Sequence, residues 1–223
     1  MTSRPQRIHR FAAGLCFDTV ARYCNANGRW RVLPAGSLQR VKVSSLAAQQ
    51  AVALLTGRWP QAMPVNADGA PEARALLRGL SSHLSPKAIT SVDITDVSTL
   101  GSAATQVIEQ GGLMLLQMAV LDPTPKKVST CRWVLVVGVE QELQPGRHVP
   151  DVPRVCTRAL LIRDSALDDQ WACGHNAKLE IGSPAPSEDL KRKRPATLVY
   201  RSMDGGLHKV QLLMALSLRP CGT

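Results

Sequence analysis

The clearest indication of the fold comes from residues 131–139, CRWVLVVGV. Five apolar residues in succession, 133–137, are typical of a strand that is buried on both faces and flanked by helices. Residues 158–165, RALLIRDS, have the same character and deliver a carboxylate, Asp164, at the end of the strand. Each segment by itself is also compatible with an ordinary core strand that has a polar end.

The elements predicted on either side of residue 110 differ in kind. Apolar residues at steps of three and four predict helices over about 11–27, 44–57, 71–83 and 102–109, with a short strand near 91–97. Strands follow over about 113–121, 132–140, 157–164, 177–181, 197–203 and 209–218, the last two joined by an Asp-Gly-Gly turn at 204–206. Helices followed by strands favour an α+β fold. We predict a basic flexible tail at 1–10 and one domain over 11–223, with a helical half (about 11–110) packed on an antiparallel sheet (about 111–220).

The positive charge is concentrated near the N-terminus. The 223 residues carry a net charge of +10, and the first 60 hold nine basic residues against one acid, Asp18. This excess favours an anionic partner. Aromatic residues make up only 4% of the chain, which leaves few rings for stacking bases, so nucleic acid is not expected as the partner. The basic run at 191–194 is interpreted as a solvated loop.

Composition also bears on the compartment and on cofactors. The longest apolar stretches, 113–120 and 133–139, fall short of the ~18 residues of a membrane-spanning helix, so no membrane span is predicted. Residues 11–17 form too brief an apolar patch for a signal peptide. Six cysteines contain no C-x-x-C pair, and Cys173 with His175 lacks a second pair of zinc ligands. We expect reduced thiols, no metal and no cofactor, in a protein that is cytoplasmic or exported without a recognisable signal peptide.

Cys16 is a candidate nucleophile. It lies in the first turns of the predicted helix at 11–27, after Ala12, Ala13 and Gly14. The positive end of a helix dipole favours the thiolate, and small residues allow a substrate to approach. The alternative is a small buried core residue, which is common for free cysteine.

Taken in order, these segments resemble the papain-like cysteine peptidases, in particular the bacterial peptidase domains that process bacteriocins. In that family a helix begins with the nucleophilic Cys, a later strand opens with His before an aromatic residue and an apolar run to Gly, and the next strand ends in Asp or Asn. Cys16, the run 133–138 and Asp164 match this order, and residues 111–115 resemble the preceding strand. The resemblance covers about residues 11–181. It implies a papain-like fold with Cys16 as nucleophile and Asp164 as the orienting carboxylate.

The departure from the family pattern lies at Arg132, which occupies the position of the family's His. Arginine stays protonated and cannot take a proton from a thiol, although it could stabilise a Cys16 thiolate or pair with Asp164. The oxyanion-donating Gln is also displaced, since Gln6 lies ten residues before Cys16. Arg132 and Trp133 are the expected substrate-binding residues.

Three functions stay open on this evidence. The first is a papain-like pseudoenzyme that binds a peptide or protein ligand as a scaffold module. The second is an active cysteine peptidase or acyltransferase in which His148 or His175 is the base, each of which is also explained as an exposed loop histidine. The third is a binder of an anionic partner through the basic N-terminal third.

Overall fold

Strands dominate the structure of the chain. The structure, a computed structural model, describes residues 7–11, 43–58, 60, 73–121, 128–144, 154–164, 167, 175–181, 197–203 and 205–220. Of these residues, 52% lie in strands and 28% in α-helices.

Eight strands and three α-helices make up the described residues. In chain order they are β1 (Arg7–Phe11), α1 (Val43–Thr56), α2 (Ala73–Ser81), β2 (Ile89–Val92), α3 (Val97–Glu109), β3 (Leu113–Leu121), β4 (Val128–Gln144), β5 (Arg154–Arg163), β6 (Ala177–Glu180), β7 (Thr197–Ser202) and β8 (Leu207–Leu218). A short 3-10 turn, Pro86–Ala88, precedes β2.

Six antiparallel strands close into a barrel. The order β4-β3-β8-β7-β6-β5 returns to β4, because β4 pairs with β3 on one side and with β5 on the other. The 17 residues of β4 make this possible, since its earlier part pairs with β3 and its later part with β5. Register shifts between Val136 and Gly138, and between Glu140 and Gln141, mark bulges that increase local bending and twist. β1 and β2 lie outside the ring, paired with β4 and β8.

The predicted papain-like α+β fold is therefore wrong. A helical half packed on an antiparallel sheet does not describe this chain, because the described residues form a closed six-stranded barrel with only three α-helices. The N-terminal predictions also need correction. Residues 7–10 were expected in a flexible tail and Phe11 at a helix start, but Arg7–Phe11 form β1 against β4. The pairing strand lies more than 100 residues away, so no local signal revealed it. The rest of the helix predicted at 11–27 lies outside the described residues.

Several local predictions are confirmed. The strand expected over 113–121 is β3, and α1 ends where expected, at Gly57 with a φ of 71°. The β7–β8 hairpin forms, with Gly205 at a φ of 97° that favours glycine. α3 begins earlier than predicted because Asp96 caps it, its side chain accepting a hydrogen bond from the Ser98 N–H.

The core lies on both sides of β3 and β4. Their central residues are buried whichever way they point, as predicted for 133–137. The side chains on one face of β3 and β4 fill the interior of the barrel. On the outside, α1 and α3 pack against these two strands. No helix in the described part of the chain has the length and apolar character needed to cross a membrane.

Candidate functional site

Three polar side chains from three strands meet at one end of the barrel. Arg132 of β4 places Nη2 3.0 Å from Oδ2 of Asp164, which directly follows β5. The Tyr200 hydroxyl on β7 donates a hydrogen bond of 2.6 Å to the same oxygen. The guanidinium carbon of Arg132 also lies 5.2 Å from the centroid of the Tyr200 ring, within range of a cation–π contact. We call these three residues the ion-pair cluster.

The strand registers place the cluster inside the barrel. In β7, Tyr200 is buried while Thr197 and Arg201 are exposed, so Tyr200 faces the interior. Arg132 pairs with Met118 of β3, which in turn pairs with Leu212 of β8. Tyr200 pairs with His208, which lies four residues before Leu212 and therefore on the same face of β8. Because strand residues alternate between faces, these registers bring the cluster to the interior at one end of the barrel.

Asn176 holds the backbone at the end of β5. Its Oδ1 accepts a 2.7 Å hydrogen bond from the Asp164 N–H, and its Nδ2 donates a 2.9 Å bond to the Asp164 carbonyl. The Asn176 N–H donates to the Ile162 carbonyl, and its own carbonyl accepts from the Met203 N–H. The side-chain amide thus takes the place of a paired strand at the residue that follows β5, and it holds the Asp164 backbone in position.

The electrostatics of the cluster are those of a buried ion pair. Asp164 is 0% exposed, and an ionised carboxylate in that position requires a partner of opposite charge. Arg132, whose side chain is 17% exposed, supplies it. The tyrosine hydroxyl adds a second charge-assisted bond to the same oxygen. Neither of these two groups is a base, because the arginine is permanently protonated and the hydroxyl donates.

The residues predicted from the sequence fall into separate groups. The structure brings Arg132 and Asp164 together, which is one of the two roles that the sequence left open for Arg132. Trp133 is 1% exposed and points to the opposite face of β4, where its Nε1 has no hydrogen-bond partner among the described residues. Cys16 and His148 lie outside the described residues, as do Cys173 and the basic run 191–194.

His175 is not an exposed loop histidine. It is 5% exposed, and its ring centroid lies 5.9 Å from that of Phe11 in β1. The side chain therefore packs beside the outer strand β1, while the next residue, Asn176, reaches Asp164. The alternative that explained His175 by solvent exposure is wrong, and its proposed role as a base stays a prediction.

Sequence reasoning missed Tyr200 and Asn176. The alternation in β7, with Leu198 and Tyr200 on the same face, was a usable signal for an inward tyrosine. The contact of Asn176 with Asp164 extends the antiparallel pairing of β5 with β6, in which Ile162 lies opposite Ala177, and that pairing was not predicted. Within the described ranges, no group of three or more His, Cys, Asp or Glu residues could hold a metal ion.

Comparisons with protein-family models, with curated proteins and with solved structures found no match to this chain. The resemblance to papain-like peptidases therefore stays a prediction from the sequence.

Proposed function

We propose that this chain is a binding module for a peptide or protein ligand and has no cysteine peptidase activity. The observation that carries the proposal is the ion pair between Arg132 and Asp164, 3.0 Å apart and largely enclosed by the barrel.

A cysteine peptidase needs a base that takes the proton of the thiol and a carboxylate or amide that orients this base. Asp164 is the candidate for the orienting group, but its Oδ2 is occupied by Arg132 and by the Tyr200 hydroxyl. Arginine holds its proton at any ordinary pH, so the pair cannot pass a proton to or from a thiol. Asp164 instead fixes the guanidinium in one orientation, which suits binding better than proton transfer.

The test compares the wild type with Arg132→His. We expect no peptide cleavage by the wild type, and we expect iodoacetamide to label Cys16 no faster than the other five cysteines. Arg132→His restores the residue that the resemblance implies, so a gain of cleavage that Cys16→Ser abolishes would support descent from a peptidase. Arg201→His is the matched control, because Arg201 also pairs with a carboxylate at 3.0 Å, that of Glu180, but on the exposed outer face.

Two results would contradict the proposal. Cleavage by the wild type that is lost in Cys16→Ser shows that another group serves as the base. Selective labelling of Cys16 at neutral pH shows an activated thiolate rather than an inert thiol.

A further inference from the structure

The ion-pair cluster lies where the barrel interior meets solvent. The Tyr200 ring is buried, yet it contacts the ring of His208 on β8 at a centroid distance of 6.2 Å. His208 is exposed, and Arg132, on the same tyrosine ring, keeps 17% of its side chain accessible. A ligand in solvent can therefore reach the guanidinium beside the His208 imidazole.

The nitrogen atoms of the Arg132 guanidinium differ in their partners. Nη2 binds Asp164, and Nε is enclosed with no hydrogen-bond partner among the described residues. The Arg132 side chain as a whole keeps 17% of its surface accessible, so part of the guanidinium can be reached from solvent. The donors of a guanidinium point in several fixed directions, so one edge can bind Asp164 while Nη1 binds a second acceptor.

We infer that Arg132 and His208 form a binding site for a carboxylate of an acidic peptide ligand; this inference rests on the proposed function and names its ligand class. Asp164 and the Tyr200 ring hold the guanidinium in place before the ligand arrives, which lowers the entropic cost of binding. The net charge of +10 attracts acidic peptides to the chain.

The experiment is an NMR titration of the full chain, with the Arg132 Nε–H signal and the backbone signals of β7 and β8 as reporters. The probes are acetyl-Leu-Glu-amide and the neutral acetyl-Leu-Gln-amide. We expect the acidic probe to shift the Arg132 signal and to bind about tenfold more tightly than the neutral probe. Acetyl-Leu-Gln with a free C-terminal carboxylate distinguishes a chain terminus from an acidic side chain as the source of the group.

Three variants localise the effect. His208→Gln changes an exposed residue and should weaken binding of the acidic probe several-fold. Arg132→Lys keeps the charge but loses the planar donor edge, so we expect a loss of about tenfold. Lys209→Gln is the matched control: Lys209 is exposed on the same strand, adjacent to His208 and on the opposite face, and this change should leave the affinity unchanged.

Equal affinity for the acidic and neutral probes would overturn the inference, and so would shifts confined to residues away from Arg132. If Lys209→Gln weakens binding of the acidic probe as much as His208→Gln does, the binding reflects general charge attraction. That result would also contradict the inference. These outcomes are separate from failure of the proposed function, which is detected by Cys16-dependent cleavage and not by probe affinity.

Discussion

Asp164→Asn isolates the charge of the buried carboxylate, because asparagine has nearly the same shape. In the wild type, Oδ2 of Asp164 receives the guanidinium of Arg132 at 3.0 Å and the hydroxyl of Tyr200 at 2.6 Å. The amide oxygen can still accept hydrogen bonds, but the amide carries no charge to balance that of the guanidinium. We therefore expect a loss of stability and not only a loss of ligand binding.

The expected loss of stability in Asp164→Asn follows from the burial of the ion pair. Removing one partner of a buried ion pair costs about 3–5 kcal/mol, and the 17% exposure of Arg132 places this case near the lower figure, about 3 kcal/mol. At roughly 2–4 °C per kcal/mol for a chain of this size, the midpoint of thermal unfolding should fall by roughly 6–12 °C. The loss is a large fraction of the roughly 5–15 kcal/mol that stabilises a typical domain.

Urea unfolding followed by tryptophan fluorescence measures the effect, with an unchanged slope showing that only stability has changed. Glu180→Gln is the control, because Glu180 and Arg201 are also 3.0 Å apart but are 38% and 54% exposed. An exposed pair of this kind contributes about 0–1 kcal/mol. If Asp164→Asn costs no more than Glu180→Gln, the argument that burial gives the cluster its energy is refuted.

Two further predictions concern the elements around the barrel. Gly138→Ala places a Cβ 2.5 Å from the Arg10 carbonyl oxygen and 3.0 Å from Cδ1 of Phe11, both in β1. We therefore expect the substitution to displace β1 and to cost about 1–3 kcal/mol. Hydrogen exchange should show lost protection in β1, and unchanged protection contradicts the expectation. Asp96→Ala removes the cap of α3 and should cost about 1 kcal/mol in urea unfolding at neutral pH. Hydrogen bonds from Ser98 lower the pKa of Asp96 below its usual 3.8, so its contribution is complete above that value and is lost as the pH falls through the folded-state pKa. If the difference in free energy of unfolding between wild type and Asp96→Ala stays unchanged at lower pH, the charge of the carboxylate is not involved.

The sequence supports the prediction of elements whose signals are local. The apolar runs of β3 and β4 indicate burial on both faces because they offer no polar face to solvent. The β7–β8 hairpin follows from the glycines of its turn. In both cases the residues that carry the signal lie within the element itself.

Barrel closure has no comparable local signal. It depends on β4 pairing with both β3 and β5, and on β7 and β6 completing the ring. The apolar pattern of a strand indicates that its faces are buried, but it does not indicate which strands pair with it. The same limit explains why β1 was missed, since it pairs with β4, which is distant in the sequence. The contact between Asn176 and Asp164 is different, because it extends the pairing of the consecutive strands β5 and β6.

The pairing of Arg132 with Asp164 was nevertheless predictable although the fold prediction was wrong. β4 and β5 are antiparallel neighbours with Leu135 opposite Arg163, so the residues just before Leu135 lie beside the residue that follows Arg163. That juxtaposition depends only on the register of two strands and not on any helical half. It would form in any fold that keeps this register, and the chemistry at the site is then decided by the residue type at position 132. An arginine there makes a fixed ion pair with Asp164, whereas a histidine could exchange a proton. The proposal of a binding module therefore depends on the side chain at position 132 and does not require a papain-like fold.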